Sequence, residues 1–174
     1  MSPAADTLTY AVRPARPDEG PAVADLYRRV AAVPGGIARE VDEIYDDEVS
    51  GWIAHACETG AAYVAEGNGV LIGVIHCSSL KLRLFNHMLG NLTIGIDPAW
   101  QGKGVGRALF TALMTHVREK RPDISRVELM VRESNAAGRK LYAAMGFVEE
   151  GRMKARPMTR GVIEDDIPMA WVRG

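Results

Sequence analysis

The most constraining feature of this sequence is a run of alternating glycines in the middle of the chain. The segment from Ile94 to Leu109 is I-G-I-D-P-A-W-Q-G-K-G-V-G-R-A-L, with glycine at positions 102, 104 and 106. Apolar residues alternate before it as in a strand and recur at helical spacing after it. Glycine adopts backbone angles that other residues avoid, and it lets a ligand approach without a Cβ in the way. We therefore expect a strand-to-helix turn with an accessible backbone.

Such a turn can hold an anion. The first turn of a helix has N–H groups without intrahelical partners and carries the positive end of the helix dipole. Lys103 and Arg107 add positive charge beside it, so the segment predicts a pyrophosphate socket. The Gly-Lys-Ser/Thr ending of a Walker loop is missing, and a dinucleotide fingerprint fits poorly because the turn follows two antiparallel strands in mid-chain. A glycine turn that only connects a strand to a helix is the structural alternative.

The composition is that of a globular domain. The chain has 174 residues, of which 47% are hydrophobic and 25% charged, and one core is enough at this length. Lys and Arg number 21 against 22 Asp and Glu, which gives no general footprint for nucleic acid or acidic lipid. Cys57 and Cys77 lack metal-ligand spacing and are too few for a disulfide scaffold. With no apolar run of about eighteen residues and no signal pattern, we expect a cytoplasmic protein without metal, nucleic acid or membrane partners.

Hydrophobic periodicity predicts a single α/β domain with a mixed sheet, in the order β-α-α-β-β-β-α-β-α-β-β. Residues 1–7 are expected to be a flexible tail and residues 8–174 the domain. Two apolar runs flank Gly67-Asn68-Gly69, and the Asn-Gly pair predicts a tight antiparallel hairpin. Residues 78–90 are of mixed character and are expected to form a loop. Strands are predicted at 8–12, 61–66, 70–77, 91–96, 126–131, 147–153 and 162–172, and helices at about 17–33, 41–58, 104–120 and 136–145.

Two segments resemble the signatures of the GNAT superfamily of N-acetyltransferases, which use acetyl-CoA. Q-G-K-G-V-G is similar to the family's Gln/Arg-x-x-Gly-x-Gly/Ala motif, and D-P-A-W precedes it as in the family. V-R-E-S-N-A-A-G-R-K-L-Y-A-A-M-G-F resembles the second signature, Asn-x-x-Ala/Gly-x-x-x-Tyr-x-x-x-Gly-Phe. The element order is also that of the family, so the resemblance extends from Leu8 to Trp171. It implies an α/β (α+β) GNAT-like domain whose mixed, mostly antiparallel twisted sheet is flanked by about four helices.

The resemblance also implies where acetyl-CoA binds. The strand before the turn is expected to splay from its neighbour, so that its free backbone bonds the pantetheine arm and polarises the thioester. Asn135 is expected to contact the pantetheine, although a plain helix N-cap explains this residue equally well. No metal is implied. The expected coenzyme-binding residues are Ile94, Gly95, Ile96, Gln101, Gly102, Lys103, Gly104, Val105, Gly106, Arg107, Asn135 and Tyr142.

Tyr142 is the expected catalytic acid. Acetyl transfer from a thioester needs a neutral amine, an oxyanion stabiliser and a proton for the departing thiolate, and the resemblance gives the last role to this tyrosine. A packed aromatic residue is the alternative. Many relatives have a carboxylate on the strand before the glycine turn, where this chain has Asn91, which cannot take a proton. Glu128 and His87 are the candidates for the base, which stays unassigned.

The acceptor substrate is the part of the expected reaction that the sequence specifies least. Gly161, Asp165 and Met169 keep the spacing of a pattern seen in small-amine and amino-acid acetyltransferases, but Ile163 replaces an expected tyrosine. A small amine or amino acid is therefore the first expectation, and a protein N-terminus or lysine the second. A non-catalytic acyl-CoA-binding sensor is the alternative of another class. A homodimer is a further expectation from relatives, and the donor could carry acetyl or a longer acyl group. Basic residues that could bind an acceptor carboxylate are Arg152, Lys154, Arg156 and Arg160.

Overall fold

A computed structural model of the chain describes residues 9–174, so the predicted tail at residues 1–7 lies outside the described residues. The strands are β1 Ala11–Pro14, β2 Ala61–Gly67, β3 Val70–Ser78, β4 Met88–Ile96, β5 Arg126–Arg132, β6 Val148–Glu149, β7 Met158–Thr159, β8 Val162–Ile163 and β9 Asp166–Val172. The helices are α1 Gly20–Ala31, α2 Asp46–Thr59, α3 Val105–Lys120 and α4 Ala136–Ala144.

Seven of the strands form one sheet in the order β1-β2-β3-β4-β5-β9-β6. All neighbouring pairs are antiparallel except β4 and β5, which are parallel. The predicted hairpin between β2 and β3 is confirmed, with Asn68 and Gly69 at φ 54° and 77°. This mixed, mostly antiparallel sheet with four helices is the architecture that the sequence predicts.

The parallel strands β4 and β5 separate soon after they meet. Their pairing covers Met88↔Arg126 and Leu89↔Val127, whereas β3 follows β4 as far as Ile96. The pairing of β3 with β4 shifts register between His76 and Ser78. Opposite this shift, Asn91 has φ 53°, a left-handed angle that asparagine tolerates better than most residues. A bulge bends the strand that carries it, and the result is a gap between β4 and β5.

Helices cover both faces of the sheet. On one face, α3 buries a continuous apolar stripe, and Tyr142 of α4 and Phe147 belong to the same core cluster. On the other face, α1 and α2 pack on β2 and β3, with Tyr27, Ile44 and Ile53 buried. The gap between β4 and β5 is therefore bordered by elements from both layers. The buried stripe of α3 is Val105, Leu109, Phe110, Leu113, Met114 and Val117.

Several predicted boundaries were wrong in the first half of the chain. The helix expected at 41–58 is interrupted, because Ile44 and Tyr45 are extended between a short 3-10 turn at Val41–Glu43 and α2. Strand β4 begins at Met88 rather than Asn91, since its first residues are buried and pair with β5. Strand β1 runs from Ala11 to Pro14 rather than ending at Val12.

The C-terminal region differs more. The strand expected at 147–153 is reduced to Val148–Glu149, which pairs with β9. The strand expected at 162–172 is divided between Ile163 and Asp166, because β8 pairs with β7 in a small hairpin whereas β9 pairs with β5. The turn of that hairpin is Arg160-Gly161, with φ 51° and 79°. Two residues with positive φ are the requirement of a tight two-residue hairpin turn. This hairpin stands beside the gap between β4 and β5.

Candidate active site

The glycine turn has the geometry of an anion socket. Gly102 and Gly104 lie at φ 72° and 83°, in the left-handed region that favours glycine. Helix α3 begins immediately afterwards, and its first bond runs from the Ala108 N–H to the Gly104 carbonyl at 3.0 Å. The N–H groups of the three preceding helical residues, Val105 to Arg107, thus have no intrahelical acceptor and point outward. The turn can bind a phosphate through its backbone.

One of the two cationic side chains of the turn is held by the protein itself. The Lys103 ammonium donates to the Ala99 carbonyl at 2.7 Å and lies 5.6 Å from the Trp100 ring centroid. Arg107 is exposed and forms no ion pair within residues 9–174. Gln101 donates through Nε2 to the Ile96 carbonyl at 3.2 Å and so joins the turn to the end of β4. Arg107 therefore remains the cation of the turn that can move toward a ligand.

Strand β4 offers free backbone groups to the gap. The Asp97 N–H donates to the Ile72 carbonyl at 2.8 Å. Bonding residues alternate in an antiparallel pair, so Thr93 and Gly95 direct their backbone groups toward β3. Ile94 and Ile96 consequently direct theirs toward the gap. The Ile96 carbonyl accepts from Gln101, so the Ile94 N–H and carbonyl and the Ile96 N–H are the groups that an extended amide-containing ligand can use.

A small cavity of about 190 Å³ lies in the gap and contains the predicted acid. Tyr142 lines it, is 7% exposed, and packs with its ring centroid 5.5 Å from that of Phe110. Burial raises the pKa of Tyr142 to about 12, and the charge of Arg132 acts in the opposite direction. Asn135 also lines the cavity, and its Oδ1 accepts from the Gly138 N–H at 2.9 Å, which is the N-cap bond of α4. The phenol is protonated at neutral pH and faces the gap.

A larger open cleft of about 1280 Å³ adjoins the small cavity. Its walls come from α1, α2, the segment that joins them, β3 to β5 and the region before β9. The two spaces share part of their lining, so the small cavity lies directly beside the cleft. The shared residues are Ile37, Ala38, Leu92, Thr93, Met130, Pro157 and Asp166.

The two candidate bases are in different places. Glu128 lines the large cleft and accepts from the Arg126 guanidinium at 3.0 and 3.1 Å. His87 is exposed and lines neither space. Met130, two residues after Glu128 on the same face of β5, lines both spaces and thus stands nearer to Tyr142. Among the described residues, Glu128 is the candidate that the fold brings to the cleft.

A buried pair at the cleft was not found from the sequence. His76 of β3 is 5% exposed, and its Nε2 lies 2.8 Å from the Tyr27 hydroxyl of α1. Burial lowers the pKa of His76 to about 4 and raises that of Tyr27 well above its usual range. Both residues line the cleft. A histidine within the apolar run of β3 was the available signal, but its partner is 49 positions away.

Most of the predicted acceptor-side cations are already paired. Arg152 and Lys154 bond Asp165, at 3.1 and 2.9 Å, and Arg156 bonds Asp166 at 2.8 Å. These cations and neighbouring backbone hold the pKa of Asp165 well below its usual range. Arg160 is exposed on the β7–β8 turn and lines neither space. The basic residues of this region therefore mainly stabilise its own loops.

Two findings concern the whole of the described chain. No helix within residues 9–174 is long and apolar enough to cross a membrane. In the same residues, no group of three or more His, Cys, Asp or Glu side chains is arranged to hold a metal ion.

Comparison with known proteins links these features to one family. The model of the acetyltransferase (GNAT) family matches residues 23–147. The [ribosomal protein bS18]-alanine N-acetyltransferase of Haemophilus ducreyi is 30% identical over 109 residues, which are 62% of this chain and 69% of that protein. The mycothiol acetyltransferase of Streptosporangium roseum is 44% identical over 54 residues, which are 31% of this chain but 15% of that relative. The chain thus corresponds to a small part of the mycothiol enzyme.

The fold is shared more widely than the sequence. A crystal structure of a GNAT superfamily phosphinothricin acetyltransferase from Sinorhizobium meliloti in complex with acetyl-CoA superposes with a TM-score of 0.81 at 22% identity. The superposition covers 96% of this chain and 90% of that chain. The chain therefore has the same overall fold as that acetyltransferase.

Proposed function

This chain belongs to the GNAT family of acetyltransferases, and on that premise we propose that it transfers the acetyl group of acetyl-CoA directly to a primary amine. The observation that carries the proposal is the gap between β4 and β5. Ile94 of β4 and Tyr142 both line the small cavity in this gap, which adjoins the open cleft. The glycine turn lies against the same strand, since a Cβ on Gly106 would be 3.9 Å from Ile94 Cδ1.

The residues along the path fit acetyl-CoA. The outward N–H groups at the start of α3 suit a pyrophosphate. The Ile94 backbone groups and the Ile96 N–H suit the amides of a pantetheine arm. A backbone N–H of β4 is also suited to polarise the thioester carbonyl, as an oxyanion hole does. When bound, acetyl-CoA supplies an activated acyl group. The chain's own residues then supply position, a proton donor and a proton acceptor.

The proposed reaction forms a bond between the amine nitrogen and the acetyl carbon and breaks the bond between that carbon and sulfur. Tyr142 donates its phenolic proton to the departing thiolate and regains one from solvent. Its raised pKa, about 12, keeps the phenol protonated at neutral pH. Glu128 accepts the amine proton through a water molecule, because Met130 occupies the nearer position on β5.

The first acceptor class is a small amine or amino acid, as the sequence pattern indicates. The size of the cleft, about 1280 Å³, supports the N-terminus of a peptide as a second candidate. The resemblance to a ribosomal-protein alanine N-acetyltransferase supports the same candidate. A sensor that binds acyl-CoA without turnover is the alternative of another class, and the phenol in the small cavity argues against it.

The test is release of coenzyme A thiol from acetyl-CoA in the presence of amino acids, polyamines, aminoglycosides or short peptides. We expect turnover with one acceptor class and a fall of about 10²–10⁴-fold in kcat for Tyr142→Phe. Tyr63→Phe is the matched control, because Tyr63 stacks on His116 and lines neither space. Tight acetyl-CoA binding without turnover would favour the sensor, and full activity of Tyr142→Phe would exclude the acid role.

A further inference from the structure

Arg132 is a buried cation at the end of β5. It is 9% exposed and lines the small cavity together with Tyr142. Its Nη1 donates to the Thr159 hydroxyl at 3.2 Å, and its Nη2 donates to the Gly36 carbonyl at 3.1 Å. The guanidinium therefore holds the segment between α1 and α2 and the β7–β8 hairpin against the gap. Both of these protein partners are uncharged.

The charge of Arg132 is not neutralised by a contact. Within residues 9–174, no carboxylate lies within 4.0 Å of its guanidinium. Asp166 is its cross-strand neighbour, but that carboxylate bonds Arg156 at 2.8 Å. Glu164 lies near enough for Arg132 to lower its pKa, yet it accepts from the Ser134 N–H and lines neither space. A buried cation without a paired anion is costly, and this one faces a cavity.

The guanidinium has donor capacity left for a ligand. Arginine has five N–H donors, and Arg132 uses Nη1 and Nη2 on the protein while Nε bonds no group within residues 9–174. Within residues 9–174, every fully buried side-chain nitrogen or oxygen has a hydrogen-bond partner. Nε is therefore not fully buried, and Arg132 lines the small cavity. An anion in the cavity could meet the Nε edge of the guanidinium.

We propose that Arg132 binds a carboxylate of the acceptor, and that the acceptor is an amino acid whose carboxylate lies next to its amine. This inference rests on the proposed function and makes its acceptor class specific. Arg132 and Tyr142 share a cavity of about 190 Å³, so an anion held by Arg132 is close to the reacting thioester. In an α-amino acid the amine and the carboxylate are separated by one carbon, which suits so small a space. The side chain of the amino acid would extend into the large cleft.

The proposal separates free amino acids from peptides. A peptide N-terminus has an amide where an amino acid has its carboxylate, so it gives Arg132 no negative charge. Charge-assisted bonds between a guanidinium and a carboxylate are about twice as strong as neutral ones. Arg132 is thus a specificity-determining residue in addition to holding the two segments against the gap.

The test compares kcat/KM for free proteinogenic amino acids with kcat/KM for the corresponding α-carboxamides, at equal concentrations of neutral amine. For the wild type we expect kcat/KM to be about tenfold or more higher for the acid than for the amide. Arg132→Met should abolish this preference while it changes the amide rate much less, and Arg132→Lys should restore part of it. Lys140→Met is the control, since this exposed residue of α4 lines neither space.

Three results would overturn the proposal: no preference in the wild type, an equal loss for acid and amide in Arg132→Met, or an unchanged preference in that variant. Calorimetric titration of the same acid and amide in the presence of coenzyme A gives the answer without turnover. Selective binding of the acid, lost in Arg132→Met, supports the proposal, and equal binding refutes it. Absence of thiol release with every acceptor would instead refute the proposed transferase function, so the two failures are distinguishable.

Discussion

The buried histidine at the cleft makes the stability of this protein dependent on pH. His76 shares a hydrogen bond of 2.8 Å with the Tyr27 hydroxyl and is 5% exposed. Burial lowers the pKa of His76 from 6.5 to about 4. The folded protein therefore keeps this imidazole neutral at a pH where the unfolded chain protonates it. We expect His76→Gln to remove that difference.

The sign and size of the effect follow from linkage. Between pH 6.5 and about 4 the unfolded state binds more protons than the folded state at this position, so the free energy of unfolding falls as the pH is lowered. Each pKa unit is worth 1.36 kcal/mol, which gives a total loss of about 3 kcal/mol below pH 4. At pH 5 the free energy of unfolding is lower by about 2 kcal/mol, because His76 is then almost fully protonated in the unfolded chain and mostly neutral in the folded protein.

The assay is urea denaturation between pH 8 and pH 4.5, with the free energy of unfolding taken from the midpoint and slope. The difference between wild type and His76→Gln should change by about 2 kcal/mol between pH 7.5 and pH 5. His116→Gln is the control, because burial also lowers the pKa of His116 but that ring is partly exposed on α3. If the difference between wild type and His76→Gln is independent of pH, the argument from burial is refuted.

Two further predictions concern packing and the proposed base. A Cβ on Gly95 would lie 3.1 and 3.3 Å from the buried Tyr27 ring, so Gly95→Ala should lower the free energy of unfolding by about 1–3 kcal/mol. A Cβ on Gly51 of α2 would have no atom within 4 Å, so Gly51→Ala should raise the free energy of unfolding by about 0.5–1 kcal/mol. Equal denaturation midpoints for the two alanine variants would contradict the packing argument. Glu128→Gln should lower kcat/KM by about 10²-fold, whereas Glu150→Gln, which loses a carboxylate bonded to the same arginine outside the cleft, should not. Similar pH–rate profiles for both variants would place the base elsewhere.

Features that depend on neighbouring residues could be predicted from the sequence. The hairpin at Asn68 and the left-handed glycines of the turn each follow from a few adjacent residues. The burial of α3 follows from the spacing of apolar residues along one helix. These predictions needed no knowledge of which distant residues meet.

Features that depend on distant residues could not be predicted. Arg132 meets the Gly36 carbonyl across 96 positions, and His76 meets Tyr27 across 49. The pairing of Arg152 and Lys154 with Asp165 depends on the shape of a loop that was predicted as part of longer strands. Composition identifies such residues as charged or aromatic, but only the fold shows which charges remain without a partner.

The asparagine at position 91 connects the shape of the gap to its chemistry. From the sequence it is a missing base, because the resemblance to the family implies a carboxylate on this strand. In the structure Asn91 has φ 53° at the point where the pairing of β3 and β4 shifts register, and β4 leaves β5 next to it. Asparagine is one of the few residues that adopts this angle readily. Position 91 is thus under a backbone constraint, and the proton acceptor that we propose, Glu128, lies on the facing strand β5.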